Sequence, residues 1–372
     1  MKRVGIVSYN LYGNFTNYGS ALQTYALHHA IDRLSPDTLQ SVVVDYCPDI
    51  LQDKDVLNPI RNMWDKDSEA RRMCELSLPA IRINYEKFKR FYQEQYRLTT
   101  QKYTSENFNS SAHQEQLDGY VCGSDTIFCI DEFGFDDGFY ANYSVMKEHG
   151  SVAYAASFGD SHFDKTSYAT LNERLQNFKA IGLRELGMVP YVQEHTQGIP
   201  VNTVLDPTLL LEAEDYTPIV AGPQSEEKYL LLYARRYNPK MQEFAEQMAA
   251  ANGWKVIEIS LRATHAERHR MFYEAGVEEF LSLVHHAEYV VTNSFHGMIF
   301  SVQFHRPFYI FSREQCDTKI VELLELFGLR DRLLVDGTEQ AAAAIDYETV
   351  HLRIGAARQK SLEFLKKELA LL

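Results

Sequence analysis

The sequence predicts an α/β protein of two Rossmann-like, doubly wound domains facing a cleft, and three observations carry that expectation. A short apolar run, a polar loop, a helix-spaced stretch and a second apolar run follow one another from residue 4. The same alternation restarts after residue 228. The 372 residues, at roughly 150 per domain, make two domains rather than one.

Residues 4–9 read as a buried strand, residues 12–20 as a Gly/Asn/Thr-rich loop, and Leu27, Ala30, Ile31 and Leu34 fall at helical spacing. Ser35, Pro36 and Asp37 end that helix, and residues 41–45 form the next strand, completing a β-α-β unit. Residues 52–110 read as helical and charged, with residues 55–72 as a loop or lid. Strands follow at 120–122, 152–156, 180–183 and 202–205, each ending in polar residues, where open parallel sheets bind ligands.

Residues 211–228, interrupted by Glu212, Glu214, Asp215, Pro218, Gly222 and Pro223, read as the linker. The second half reads as strand 229–234, helix 239–252, strand 255–259, a helix from Val277, strand 289–292, helix 295–304 and strand 308–311. The expected division is an N-terminal domain over 1–215, a C-terminal domain over 225–345, and a helical segment over 346–372 packing back across both.

Hydrophobic residues at 45% and charged residues at 24% are globular values, so long disordered or fibrous segments are excluded. Lys and Arg number 37 against 51 Asp and Glu, and the net charge of −14 repels nucleic acid and anionic membrane surfaces. An anionic ligand therefore needs a local cationic pocket. Five cysteines (Cys47, Cys74, Cys122, Cys129, Cys316) lack paired spacing, which points to reduced thiols and a cytoplasmic setting. The first strand begins at once, which leaves no room for a signal peptide, and no apolar run spans a bilayer.

Thr292, Asn293, Ser294, Phe295, His296 and Gly297 lie at a strand end and a helix's first turn, a ready anion site with a histidine that can move a proton. The same pattern also reads as a capping serine and an interior histidine. Gly123, Ser124 and Asp125 follow a strand and set a carboxylate at the sheet's ligand edge, although Ser and Asp are also ordinary turn residues. Arg184 follows one strand, and Arg235 and Arg236 follow another, as candidate clamps for carboxylate or phosphate. His265 and His269, at i and i+4, lack the acidic residue placed as in HExxH and read as a solvated helix face, so no metal site is expected. The pairs His28/His29 and His285/His286 read as packing or surface residues.

Taken together, residues 17–23 (NYGSALQ), 123–125 (GSD), 154–159 (YAASFG), 183–185 (LRE), 205–210 (LDPTLL) and 292–301 (TNSFHGMIFS) resemble the polysaccharide pyruvyl transferase family, in family order over most of the chain. The resemblance implies an architecture like that of GT-B glycosyltransferases, and transfer of pyruvate from phosphoenolpyruvate to sugar hydroxyls as a ketal, with no cofactor. It implies His296 as proton donor or phosphate contact, Arg184 as donor-anion clamp and Asp125 as base. Asn17, Ser20, Ser124, Arg235, Arg236, Asn293, Ser294 and Gly297 are the substrate-binding candidates. Removing His296 or Arg184 is expected to remove most turnover with the thermal midpoint nearly unchanged.

The chain departs from the family pattern at Ser294, where many members carry Arg, so that phosphate contact is either missing or supplied by Arg235, Arg236 or Arg313. The residues after Asp125 and the glycine at Gly182 also differ from frequent family residues. The implied partners are phosphoenolpyruvate and a sugar, lipid-linked oligosaccharide or polysaccharide acceptor on the side of the first domain. A lipid-linked acceptor would bring the protein to the cytoplasmic membrane face without insertion. Two other readings remain: a sugar-nucleotide-dependent glycosyltransferase of the same architecture, and a catalytically silent carbohydrate-binding protein using some of its 23 Tyr and 21 Phe for stacking.

Overall fold

The computed structural model describes residues 1–63, 68–159, 161–312, 317–335, 337 and 343–372. In the first half, β1 (Lys2–Val7), α1 (Tyr18–Leu34), β2 (Leu39–Val43), α2 (Ser68–Gln95), β3 (Gly119–Cys122), β4 (Ser151–Ala156), α3 (Lys165–Leu175), β5 (Ala180–Leu183) and β6 (Val201–Thr203) build a parallel sheet of order β2-β1-β3-β4-β5-β6. The second half holds β7 (Tyr229–Tyr233), α4 (Pro239–Asn252), β8 (Lys255–Ile259), β9 (Arg270–Met271), α5 (Val277–His285), β10 (Tyr289–Thr292), α6 (Phe295–Gln303), β11 (Phe308–Phe311), α7 (Asp317–Phe327) and β12 (Leu333–Leu334). Its parallel sheet has the order β12-β11-β10-β7-β8-β9, and α8 (Tyr347–Leu369) closes the chain. These are the two Rossmann-like sheets that the alternation predicts.

The central strands are buried on both faces, as parallel sheets between helices require: Tyr229–Tyr233 is buried throughout, and so is Phe308–Phe311. Register brings Ile6 beside Val43 and Val291 beside Leu232, so the carboxyl ends of the inner strands finish together at one edge of each sheet. Helix starts follow local chemistry. Asn17 caps α1 by accepting from the backbone N–H groups of Gly19 (3.1 Å) and Ser20 (3.4 Å), and Asn238 caps α4 with Pro239 in its first turn.

An apolar core runs from β1 through α1 into α5, α6 and α8, so it joins the halves. Tyr18 stacks on Phe280 at 4.5 Å between ring centroids and donates to the Ala275 carbonyl (2.7 Å). Gln303 donates to the carbonyls of Thr208 and Leu211, both at 2.9 Å. Helix α8 packs on α7 of the second half and on α1 and β4 of the first. No helix among the described residues is long and apolar enough to cross a membrane.

Helix α2 spans 28 residues where the sequence reads as charged and helical, and its start falls inside the stretch read as a loop or lid. Residues 64–67 of that stretch lie outside the described residues, as does Arg313.

His28 is buried beneath β2, with Nδ1 2.6 Å from the Ser41 hydroxyl. Burial pushes this imidazole below its ordinary pKa, against the opposing pull of Asp32. The unfolded chain then binds more protons between the depressed value and about 6.5, so stability is lost as pH falls through that window. In acid denaturation series, His28→Gln is expected to flatten this loss. An unchanged slope would remove His28 as its source.

Candidate active site

Parallel sheets deliver their loops to one edge, and here the carboxyl ends of both sheets face a cleft of about 850 Å³. From the first half, Asn17, Asp125 and Arg184 line it; from the second, Arg235, Arg236, Ser294 and His296 do.

The turn after β3 is built for close approach. Gly123 has φ of +142°, and a Cβ there would lie 2.0 Å from the Tyr154 carbonyl oxygen, so only glycine fits. Asp125 follows in the left-handed region at φ +73°, a cost that aspartate tolerates better than most residues and that recurs at functional sites. Its carboxylate accepts from the Ser20 hydroxyl at 2.5 Å and from the Thr126 backbone N–H at 2.9 Å.

Arg184, directly after β5, is only 8% exposed. Its Nη1 donates to Asp206 Oδ2 at 2.8 Å, and its Nη2 lies 3.9 Å from Asp125 Oδ1. Nε and Nη2 are buried without a hydrogen-bond partner, so this cation keeps unspent donors on the cleft wall. Asp206 itself is fixed by accepting at Oδ1 from the Thr208 N–H (3.0 Å) and hydroxyl (2.6 Å). Burial alone would raise its pKa, but His296, Arg184 and Thr208 outweigh burial and hold the carboxyl well below the usual range.

His296 sits in the first turn of α6, capped by Ser294, whose Oγ accepts from the Gly297 N–H at 3.2 Å. Its Nε2 is buried, without a hydrogen-bond partner, and 3.5 Å from Asp206 Oδ2. The imidazole lies directly over α1: a Cβ on Gly19 would come within 2.0 Å of its Nδ1. Asp125, Arg184, Asp206 and His296 thus form a continuous set drawn from both halves.

Around this set, Arg235 lies over the Phe15 ring at 4.7 Å, and Lys319 of α7 stands 5.8 Å from the Phe295 ring. Arg184, Arg235, Arg236, Arg262 and Lys319 face Asp125, Asp131, Glu132 and Glu258 across the lining, so cations outnumber carboxylates in a chain of net charge −14. An anion entering this cleft finds cationic side chains at short range in a chain whose net charge is negative.

Four of the sequence-derived candidates do not line the cleft. Ser20 acts on Asp125. Ser124 is fully buried, with its hydroxyl donating to the Ala155 carbonyl at 2.7 Å. Asn293 ties the β7 loop down, accepting from the Arg235 N–H and donating to the Arg236 carbonyl, both at 2.8 Å. Gly297 permits close packing, since a Cβ there would be 2.7 Å from the Thr292 hydroxyl.

Sequence reasoning passed over Asp206 as a site residue, although it stands in the LDPTLL stretch; its value appears only when β5 and β6 pair and set it against Arg184. Lys319 carried no local signal. The reading of His265 and His269 as a solvated helix face is overturned. Both are buried, in a turn after β8 with both rings on Glu258, because the chain folds back toward the sheet edge there.

Residues 17–315 match the polysaccharide pyruvyl transferase family. No curated protein matches the chain in sequence. Among solved structures, it is similar to S. aureus MnaA in complex with UDP (TM-score 0.53, 13% identity, covering 100% of this chain and 98% of that one). It is also similar to the UDP-GlcNAc 2-epimerase from Methanocaldococcus jannaschii (TM-score 0.50, 12% identity, covering 95% and 92%). At these identities the likeness is one of fold, the two-domain GT-B type.

Proposed function

The chain belongs to the polysaccharide pyruvyl transferase family, and on that premise we propose that it transfers pyruvate from phosphoenolpyruvate to two hydroxyls of a sugar, forming a pyruvate ketal and releasing phosphate. The observation that carries this reading is Arg184: a buried guanidinium with Nε and Nη2 unpaired, on the wall shared with His296 and Asp125. A planar fork with free donors suits a carboxylate or phosphate. Arg235 and Lys319 add the charge that a highly anionic donor needs.

In the proposed reaction His296 gives a proton to the methylene carbon of the donor, which becomes the methyl group, and positive charge develops on the adjacent carbon. The first sugar hydroxyl bonds to that carbon as its proton passes to Asp125. The carbon–oxygen bond to phosphate then breaks as the leaving phosphate takes the proton held on Asp125, the second hydroxyl adds and returns its proton to His296, and the ring closes. Atoms balance as donor plus diol giving ketal plus phosphate. Asp125 suits the base role because Ser20 and Thr126 fix its two oxygens while it still faces the cleft. We assign the acceptor to the first half, residues 1–215, and the anion clamp to the loops of both halves. A sugar, lipid-linked oligosaccharide or polysaccharide acceptor fits a cleft of this size. The cysteines at 47, 74, 122 and 129 are buried free thiols, in keeping with a cytoplasmic setting.

The test compares thermal shifts with phosphoenolpyruvate and with nucleotide sugars at matched ionic strength, followed by phosphate release over an acceptor panel. Ligand at 100 times its Kd stabilises a folded protein by about 2.7 kcal/mol. A saturable shift with phosphoenolpyruvate that weakens in Arg235→Ala is expected. A shift with nucleotide sugars alone would replace this reading with glycosyl transfer.

A further inference from the structure

Beyond the transfer site, the wall of the second half holds a side-chain cluster that the proposed reaction does not use. Among the described residues, Glu258, His265 and His269 form the group whose potential metal-ligand atoms all lie within 4.8 Å of one another. All three are buried, at 2%, 5% and 6% exposure. Glu258 comes from β8, while His265 and His269 sit one turn apart in the following loop, where the His269 N–H donates to the His265 carbonyl at 2.8 Å. That turn brings both rings to one carboxylate oxygen: Glu258 Oε2 is 2.9 Å from His265 Nδ1 and 2.6 Å from His269 Nδ1.

We propose that Glu258, His265 and His269 bind a divalent transition-metal ion of the zinc class, with its open position toward the cleft. Two imidazoles and one carboxylate are a donor set that zinc takes with one position left for water or a substrate oxygen. A tetrahedral ion at ordinary bond lengths sets its ligand atoms about 3.3 Å apart, so the two nitrogen–oxygen separations need open by less than about 1 Å.

Two further features fit an ion here. His269 has a carboxylate oxygen at each ring nitrogen, Glu258 at Nδ1 and Glu246 Oε1 at 3.0 Å from Nε2. With an ion on Nδ1, the proton resides on Nε2 and points at Glu246, the outer carboxylate that ligating histidines usually have. Second, Glu258 and His265 both open onto the cleft, which provides the entry path that a buried site requires.

The site is tested on the full chain, purified without a histidine tag, stripped with chelator and reloaded with zinc or cobalt. One zinc per chain retained after desalting is expected, with a higher thermal midpoint than the stripped protein. His269→Ala and Glu258→Gln should lose the ion, Glu246→Gln should bind it roughly 10- to 100-fold more weakly, and His296→Ala should keep it. If the ligand variants fail to fold, the cobalt-loaded native protein decides through its visible ligand-field bands, which tetrahedral coordination makes intense. Zinc retention no higher than in His269→Ala, or a cobalt spectrum no different from the free ion, overturns the site. Metal content is read without turnover, so failure here leaves the pyruvyl transfer reading standing, and failure of that reading leaves the site untouched.

Discussion

His296→Ala is expected to lower turnover by roughly 10²- to 10³-fold, the ~2.7–4 kcal/mol that loss of a preorganised stabilising group costs. The ring sits in the first turn of α6 with its Nε2 3.5 Å from Asp206 Oδ2, so it is held in one place. Gly19 sets that place. Gly19→Ala would put a methyl group 2.0 Å from Nδ1, so it should cost comparable activity without touching substrate, whereas Gly187→Ala, with nothing within 4 Å, should cost none. Because Gly19 acts through His296, the double variant should be no slower than His296→Ala. Phosphate release measured for all four proteins checks the argument, and additive losses for Gly19 and His296 would break it.

The pairing of Gly19 with His296 also marks where sequence reading ends. Strands with four or more apolar residues, such as β7 and β11, announce themselves by composition, and the caps Asn17 and Ser294 are local signals. The two-residue strands β9 and β12 are too short to show any period. The site depends on meetings that no local pattern encodes. His296 reaches Gly19 across the chain, and Arg184 finds Asp206 only through the pairing of β5 with β6. The histidines at 265 and 269 carried the correct spacing for a shared face. Their carboxylate, Glu258, precedes them on a strand, outside the helical frame in which such spacing is ordinarily judged.

Arg184→Ala is expected to remove turnover and to destabilise the fold together, by about 3–5 kcal/mol, contrary to what a strand-end arginine read from sequence alone suggests. The reason is Asp206, which is 2% exposed and would stay buried with its 2.8 Å ionic partner gone. Loss of activity in this variant is therefore not evidence of a role in catalysis by itself. Taking out both charges resolves the two contributions, since replacing a whole buried pair by neutral groups is often close to neutral for stability. Arg184→Met with Asp206→Asn should recover most of the denaturation midpoint lost in Arg184→Ala. The sign in pH follows from the depressed Asp206 carboxyl: the native pair contributes fully above about 3.9 and loses its contribution as pH falls toward the depressed value. The gap in stability between native protein and Arg184→Ala should accordingly shrink in acid. Phosphate release in the double variant should stay at the level of Arg184→Ala, because the free Nε and Nη2 donors are still missing. If stability and turnover return together, Arg184 serves only to neutralise Asp206, and the anion clamp has to be sought in Arg235 and Lys319.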